Sequence, residues 1–210
     1  MGQIPATYPI QPSEATASFD YADIQEGTGV TVYSLARTEI SGGTQAGILT
    51  RNNLYSVDME VSGGNASGMI TDYDYDVVFA RPQNIKGTAY ANICHKLLPS
   101  GGASTSYLVV HLRHWDGTTE TTLATATSKT LSSAAAAQGI VQLLPLPISL
   151  KHFKKDETLR LTVEAWSSGT NGSYGYGVDP KARTESWMTL TGQSAFTSQS
   201  TISVPFVLKI

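Results

Sequence analysis

The histidines and the single cysteine are the residues that could hold a metal ion or act as catalytic bases. His111 and His114 lie three positions apart in an alternating run that predicts a β-strand. Residues three apart on a regular strand point to opposite faces, so these imidazoles cannot share one ion. Cys94 and His95 are adjacent and fail for the same reason. Because zinc sites gather three or four convergent ligands, we predict no metal ion and no cofactor.

Asp72, Asp74 and Asp76 place carboxylates at every second position between Met69 and Phe79. On a strand they share one face and lie about 7 Å apart. Such carboxylates repel one another and need water, basic neighbours or a hard cation such as calcium. The loop pattern of an EF-hand is absent from the sequence. We predict a solvated outer strand face, with an acidic strip that meets Lys or Arg of a partner subunit as the second interpretation.

Known catalytic motifs are missing from the sequence. It contains neither Gly-x-Ser-x-Gly nor a Gly-x-x-x-x-Gly-Lys phosphate loop. Several carboxylates could form the pair that glycoside hydrolysis needs, but protein surfaces commonly carry such residues. We therefore predict that the chain is not an enzyme and has no catalytic residues. A cleft that joins carboxylates to His95 or His111 would overturn this prediction.

Trp115, Trp166 and Trp187 could form a platform on which sugars stack, although large aromatic residues more often pack in cores and interfaces. Trp166 alternates in register with Arg160 and Glu164. It is therefore a candidate for an exposed contact or for a second covered face. A carbohydrate-binding β-sandwich stays open as an alternative function.

The composition predicts which elements position these side chains. Only 15% of the 210 residues are charged, against roughly 25% in typical soluble domains, and 19 are glycine. Asp116-Gly117 between two β-prone runs predicts a hairpin, whereas residues 132–138 favour a short helix. We predict an all-β fold, an antiparallel two-sheet sandwich that is jelly-roll-like. Period-2 alternation marks its strands, at residues 30–35, 54–61, 69–79, 107–115, 159–166 and 202–210.

The first residues differ from the rest of the chain. Pro5, Pro9 and Pro12 favour extended backbone, and Ile4, Tyr8 and Ile10 lie between them. We predict an extended N-terminal arm over residues 1–19 that lies on a neighbouring surface, followed by a single β-sandwich domain over residues 20–210. The formal net charge of −3 argues against nucleic-acid and membrane partners, and no apolar run reaches the ~18 residues of a membrane helix.

Four segments together resemble virion structural proteins of tailed bacteriophages. They are HWDGTTETTL (114–123), FKKDETLRLTVE (153–164), GVDPKAR (177–183) and VPFVLKI (204–210). The likeness covers roughly residues 20–210. In such proteins the turn after Phe153 often contains Gly, and Asp156 occupies that region here.

The resemblance implies a capsid decoration (cement) protein that binds the outside of the major capsid shell and stabilises it. Its partners would be the major capsid protein and further copies of itself in a homotrimer. Its location would be the virion, assembled in the host cytoplasm. A neck, tail or baseplate component is the alternative. The residues that we predict to contact a subunit or partner are Ile4, Tyr8, Ile10, Asp72, Asp74, Asp76 and Trp166.

Overall fold

The computed structural model describes residues 28–40, 44–51, 60–64, 67–99, 102–134, 138–168, 172–178 and 200–207. The predicted arm over residues 1–19, with its contacts Ile4, Tyr8 and Ile10, lies outside the described residues, as does Trp187.

Across those ranges the chain forms twelve β-strands and no helix. No described helix could therefore cross a membrane. The strands are β1 (Thr28–Ile40), β2 (Thr44–Thr50), β3 (Glu60–Gly64), β4 (Gly68–Val78), β5 (Gln83–Pro99), β6 (Ser104–Trp115), β7 (Glu120–Thr127), β8 (Leu131–Ser133), β9 (Gln138–Phe153), β10 (Thr158–Ser168), β11 (Gly172–Gly177) and β12 (Thr201–Val207).

The strands form one hydrogen-bonded sheet in the order β3-β11-β5-β12-β1-β2-β4-β10-β6-β7, with β9 added to β5 and β8 to β6. A short parallel pairing of β2 with β4 joins its two halves, through Gly47 with Tyr75 and Ile48 with Asp76. The other described pairings are antiparallel. The predicted all-β fold is confirmed.

Gly47 lies at this junction because no larger residue fits there. A Cβ atom at position 47 would collide with the carbonyl oxygen of Asp74 and lie 2.8 Å from Cε1 of Tyr73. The two halves therefore meet backbone to backbone. Glycine is the residue that permits such a close approach.

Both halves bury side chains in the same core. On β6, buried and half-buried residues alternate without a break from Ser104 to Trp115, as expected for a strand with one covered face. The shared cluster contains residues of β1, β5 and β9 from one half and of β4, β6 and β10 from the other, among them Leu35, Ile85, Leu146, Tyr75, Leu112 and Leu161.

Two turns place acidic side chains at one end of the fold. At the predicted Asp116-Gly117 hairpin between β6 and β7, Asp116 Oδ1 accepts the N–H groups of Thr118 (2.8 Å) and Thr119 (2.7 Å). These hydrogen bonds lower the pKa of Asp116. In the turn between β9 and β10, Asp156 adopts a left-handed φ of 68°. Aspartate is one of the few residues besides glycine that adopt this conformation.

Candidate functional site

The outward side of β4, β10, β6 and β7 carries a dense group of ionisable side chains, and we call it the charged outer face. Because strand side chains alternate between two faces, its members lie two positions apart on each strand. They are Asp72, Asp74, Asp76 and Val78 of β4; Arg160, Thr162, Glu164 and Trp166 of β10; Tyr107, Val109, His111, Arg113 and Trp115 of β6; and Glu120 of β7.

Arg160 is the centre of this face. Its Nε and Nη2 atoms donate to both oxygens of Asp76, each at 2.8 Å. Its Nη1 atom lies 2.9 Å from Glu120 Oε2 and 3.1 Å from Asp74 Oδ2. The hydrogen bond to Asp76, followed by the charges of Asp76 and Asp74, raises the pKa of Arg160, against the opposing effect of burial. One guanidinium therefore neutralises carboxylates from two strands.

The predicted acidic strip thus has a basic neighbour within the same chain. The register of β4 and β10 places Arg160 directly opposite Asp76. Asp74 receives a second hydrogen bond from Thr162 Oγ1 at 2.6 Å. A contact between Asp74 or Asp76 and a partner subunit stays a prediction. Both carboxylates already have bonded partners in the isolated chain.

Asp72 differs from the other two aspartates. Among the described residues its carboxylate has no hydrogen bond and no ion pair, and Asp72 lies opposite Glu164 in the strand register. Its pKa is raised, first by partial burial and then by the charges of Asp74 and Glu164. Its carboxylate is therefore the member of the strip that a partner could still bind.

Next to Asp72, a bonded group of aromatic and polar side chains extends across β10 and β6. Glu164 accepts the indole N–H of Trp166 at 2.7 Å, and its other oxygen lies 3.2 Å from His111 Nε2. The half-buried Trp166 ring lies parallel to that of Tyr107, with an interplanar angle of 7° and a centroid separation of 6.1 Å. Trp166 thus lies beside Glu164 on the charged outer face, and its contact with a partner stays a prediction.

Behind this face, buried His95 forms a hydrogen-bonded chain that superficially resembles catalytic machinery. Its Nε2 atom lies 2.9 Å from Ser106 Oγ, and its Nδ1 atom lies 3.1 Å from Gln142 Nε2. The amide oxygen of Gln142 accepts the N–H of Lys129, so the amide nitrogen must donate to Nδ1. His95 Nε2 then carries the proton and donates to Ser106. His95 therefore cannot act as the base that deprotonates this serine.

Burial also lowers the pKa of His95 to about 4, so the ring stays neutral near pH 7. Ser106 is fully buried as well. The arrangement satisfies polar groups inside the core and offers no route for a substrate. It is a structural network.

His111 and His114 lie on opposite faces of β6, as the sequence predicts. His111 is on the charged outer face, whereas His114 points inward and lies 2.7 Å from Glu157 Oε2. The same carboxylate oxygen accepts the N–H of Lys154 at 2.8 Å, and this bond is the main cause of the lowered pKa of Glu157. Within the described ranges, no group of three or more His, Cys, Asp or Glu side chains could hold a metal ion.

The outward side of the other half has the opposite character, and we call it the apolar outer face. Leu143 is 63% exposed, and Val30 and Val32 are each 54% exposed. The apolar residues of this face are Val30 and Val32 of β1, Tyr90 of β5, Val141, Leu143, Pro145 and Pro147 of β9, and Pro205 and Val207 of β12, and the polar Ser203 of β12 lies among them. None of the sequence patterns above predicts this surface, although the Val30-x-Val32 spacing is a signal for it.

Comparisons with known proteins identify no family for the chain. No protein-family model matches it, and no curated protein matches it. Among solved structures it is similar to a CocE/NonD family hydrolase from Staphylococcus aureus (11% identity, TM-score 0.49, 86% of this chain and 37% of that one). It is also similar to an aminopeptidase from a marine sediment Thaumarchaeota archaeon (10% identity, TM-score 0.46, 85% and 37%). A third structure is an α-amino acid ester hydrolase (12% identity, TM-score 0.42, 84% and 34%).

These matches contradict the prediction that the chain is not an enzyme, because the matched proteins are hydrolases and an aminopeptidase. That prediction rested on motifs absent from 210 residues. The chain spans little more than a third of the length of these proteins. The absence of known motifs does not exclude an activity, which is why the prediction was unsound.

Proposed function

We propose that this chain is a structural component of a bacteriophage virion, a capsid decoration protein that binds the outside of the major capsid shell and stabilises it. It would associate with further copies of itself, with a homotrimer as the assembly that the sequence resemblance implies. In the same proposal, the two halves of the sheet are the two layers of a jelly-roll-like sandwich. Residues 1–19 would form an arm that lies on a neighbouring subunit.

The observation that carries the proposal is the fixed arrangement of side chains on the charged outer face. Arg160 holds Asp76 and Glu120, and Glu164 holds Trp166 and His111. A surface whose side chains are already ordered loses little conformational entropy when a partner binds. Asp72 and the Tyr107–Trp166 ring pair are the groups on this surface that a shell protein could contact with a basic or flat side chain.

The first experiment measures how many copies a virion contains. Quantitative mass spectrometry of purified particles is expected to find hundreds of copies, because a decoration protein repeats with the shell lattice. A count near a dozen would contradict decoration and favour the neck, tail or baseplate alternative. Absence from the particles would contradict both.

A second experiment tests the surface. Purified protein is added to capsids that lack it, and bound protein is counted after sedimentation. Asp72→Asn and Trp166→Ala are expected to reduce binding, whereas Asp156→Asn makes the same charge change in an exposed turn and is expected to bind normally. Equal binding by all variants would contradict a role for this face.

The ring pair of Tyr107 and Trp166 supports a second candidate, a carbohydrate-binding module. Parallel aromatic rings beside carboxylates of Asp72 and Glu164 offer stacking and hydrogen bonding to a sugar. Oligosaccharides added to the protein would then change tryptophan fluorescence, and Trp166→Ala would remove the change. A fluorescence response that survives in Trp166→Ala would contradict binding at this pair, as would no response to a broad glycan panel.

A further inference from the structure

We propose that the apolar outer face is the surface through which two copies of this chain pair face to face. The inference does not rest on the virion function, because it follows from the composition and geometry of this face alone.

The face is continuous across four strands. Pro145 of β9 pairs with Tyr90 of β5, Tyr90 pairs with Ser203 of β12, and Ser203 pairs with Val32 of β1. One residue row therefore runs from edge strand β9 to β1. A parallel row places Pro205 opposite Val30. The exposed apolar side chains thus belong to one surface and are not scattered singly.

The central part of this face carries no charged residue, and the exposed Lys86 of β5 borders it at the end that holds Val207. Residues 141–147, 88–92, 201–207 and 30–34 contain no Asp, Glu, Lys or Arg. Such a surface can stack on its own copy without like-charge repulsion. The charged outer face would instead bring Asp72 and Glu164 against the same carboxylates of the second copy. With a formal net charge of −3 on each chain, two copies approach at least cost through the uncharged face.

The geometry favours stacking of faces over pairing of edges. β9 is bonded to β5, and Pro145 and Pro147 stand opposite Tyr90 and Thr88. A proline has no N–H to donate to the hydrogen bonds between β9 and β5. Its nitrogen therefore occupies the side of β9 that is turned away from β5. The edge thereby loses two donors that an added strand would need. Stacked sheets, by contrast, pack about 10 Å apart through their side chains alone.

The size of the face sets the strength of the pairing. Four strands about 4.8 Å apart and seven residues at about 3.4 Å give a footprint of roughly 450 Å² per copy. Two copies would bury about 900 Å², below the 1,200–2,000 Å² or so of stable complexes. We therefore expect a weak, concentration-dependent pair. A contact of a face with itself closes at two copies, so a homotrimer would need another surface.

The test is sedimentation velocity of the full chain from about 10 to 500 μM, a range that spans weak dissociation constants. The average mass is expected to rise from 22.4 kDa toward twice that value. Leu143→Lys and Val32→Lys are expected to raise the dissociation constant more than about tenfold, because they bury an unpaired charge. The matched control is Val78→Lys, since Val78 is 59% exposed but lies on the charged outer face. Urea unfolding of each variant establishes that it is folded.

A cross-linking experiment locates the contact independently. Cys94 is buried, so a cysteine introduced at an exposed site is the one that a short bifunctional maleimide reaches. Tyr90→Cys is expected to give a covalent dimer, and Val78→Cys a monomer. Three results would overturn the proposal: a monomer at every concentration, a trimer, or a dimer that Val78→Lys disrupts and Leu143→Lys leaves intact. A trimer would leave the proposed virion function standing.

Discussion

The two outer faces of this sheet differ in how far their side chains find bonding partners within one chain. On the charged outer face, carboxylates that would repel one another are held by Arg160 and by neighbouring hydroxyl and indole groups. On the apolar outer face, side chains such as Leu143 and Val32 are more than half exposed to water. Most carboxylates of the charged outer face therefore have their bonding partners within one chain. The apolar outer face is stabilised further only when another surface covers it.

This contrast suggests that charge density alone is a poor guide to a binding surface. Of the three strip aspartates, Asp74 and Asp76 are bonded to Arg160, and Asp72 is the one whose carboxylate has no hydrogen bond or ion pair among the described residues. The exposed apolar rows of β1 and β9 carry no charged groups. They nevertheless favour association more directly, because covering exposed apolar surface lowers the free energy.

The largest effect is expected where the two halves join. Gly47→Ala places a methyl group against the backbone of β4, which must shift. Overpacking against a rigid backbone is expected to cost about 3 kcal/mol. Urea unfolding at neutral pH measures the change. Gly117→Ala is the comparison, because Gly117 has a left-handed φ but nothing within 4 Å of the added methyl group. Equal losses would indicate that the junction is not tightly packed.

Acid should weaken the core behind both faces before it affects the ion pairs. The pKa of His95 falls from 6.5 in the unfolded chain to about 4 in the folded protein. Between these values the unfolded state binds one more proton, so stability decreases as the pH falls. Unfolding free energy is expected to drop by about 2 kcal/mol between pH 7 and pH 5. His95→Gln should flatten this dependence. An equal slope in the variant would contradict the assignment.

Arg160→Met, on the charged outer face, is expected to lower the free energy of unfolding by about 2 kcal/mol. The substitution leaves Asp74, Asp76 and Glu120 without their shared cation. These groups are partly exposed, so the loss is smaller than that of a fully buried pair. Leu143→Ser on the apolar outer face is expected to change monomer stability by no more than about 0.5 kcal/mol. Chemical denaturation at low protein concentration compares the two. Similar losses in the free energy of unfolding would contradict the proposed difference between the two faces.

The smallest effect is expected at Asp72. Its pKa is raised in the folded state, so folding favours the protonated carboxyl, and stability decreases as the pH rises through that pKa. Asp72→Asn is expected to stabilise the monomer by about 0.5 kcal/mol at pH 7, as relief of a like-charge cross-strand pair does. The gain should vanish near pH 3, where Asp72 is protonated in both states. A destabilised variant at pH 7 would mean that Asp72 has a favourable partner.

Local patterns in the sequence predicted much of the fold. Alternation placed the strip aspartates on one face of β4 and separated His111 from His114, and Asp116-Gly117 marked the hairpin. The short helix predicted over residues 132–138 was wrong at its described residues, since Ser132 and Ser133 belong to β8 and Gln138 begins β9. β9 was missed because Pro145 and Pro147 interrupt its pattern, and prolines of this kind are tolerated in an edge strand.

The sequence patterns did not predict which distant strands pair with each other. Arg160 meets Asp76 across 84 positions only because β10 pairs with β4. His95 meets Gln142 across 47 positions for a similar reason. Alternation shows which side chains share a face but not which strands are neighbours. The partners of the candidate site therefore became visible only in the folded chain.

The most direct test of the contrast between the two faces is a dilution series followed by methyl NMR of the full chain. From about 20 to 500 μM, a range that spans weak association, the methyl resonances of Val30, Val32 and Leu143 are expected to shift with concentration. Those of Val78 and Val109 on the charged outer face are expected to stay fixed. Shifts confined to Val78 and Val109, or no shifts on either face, would contradict the account.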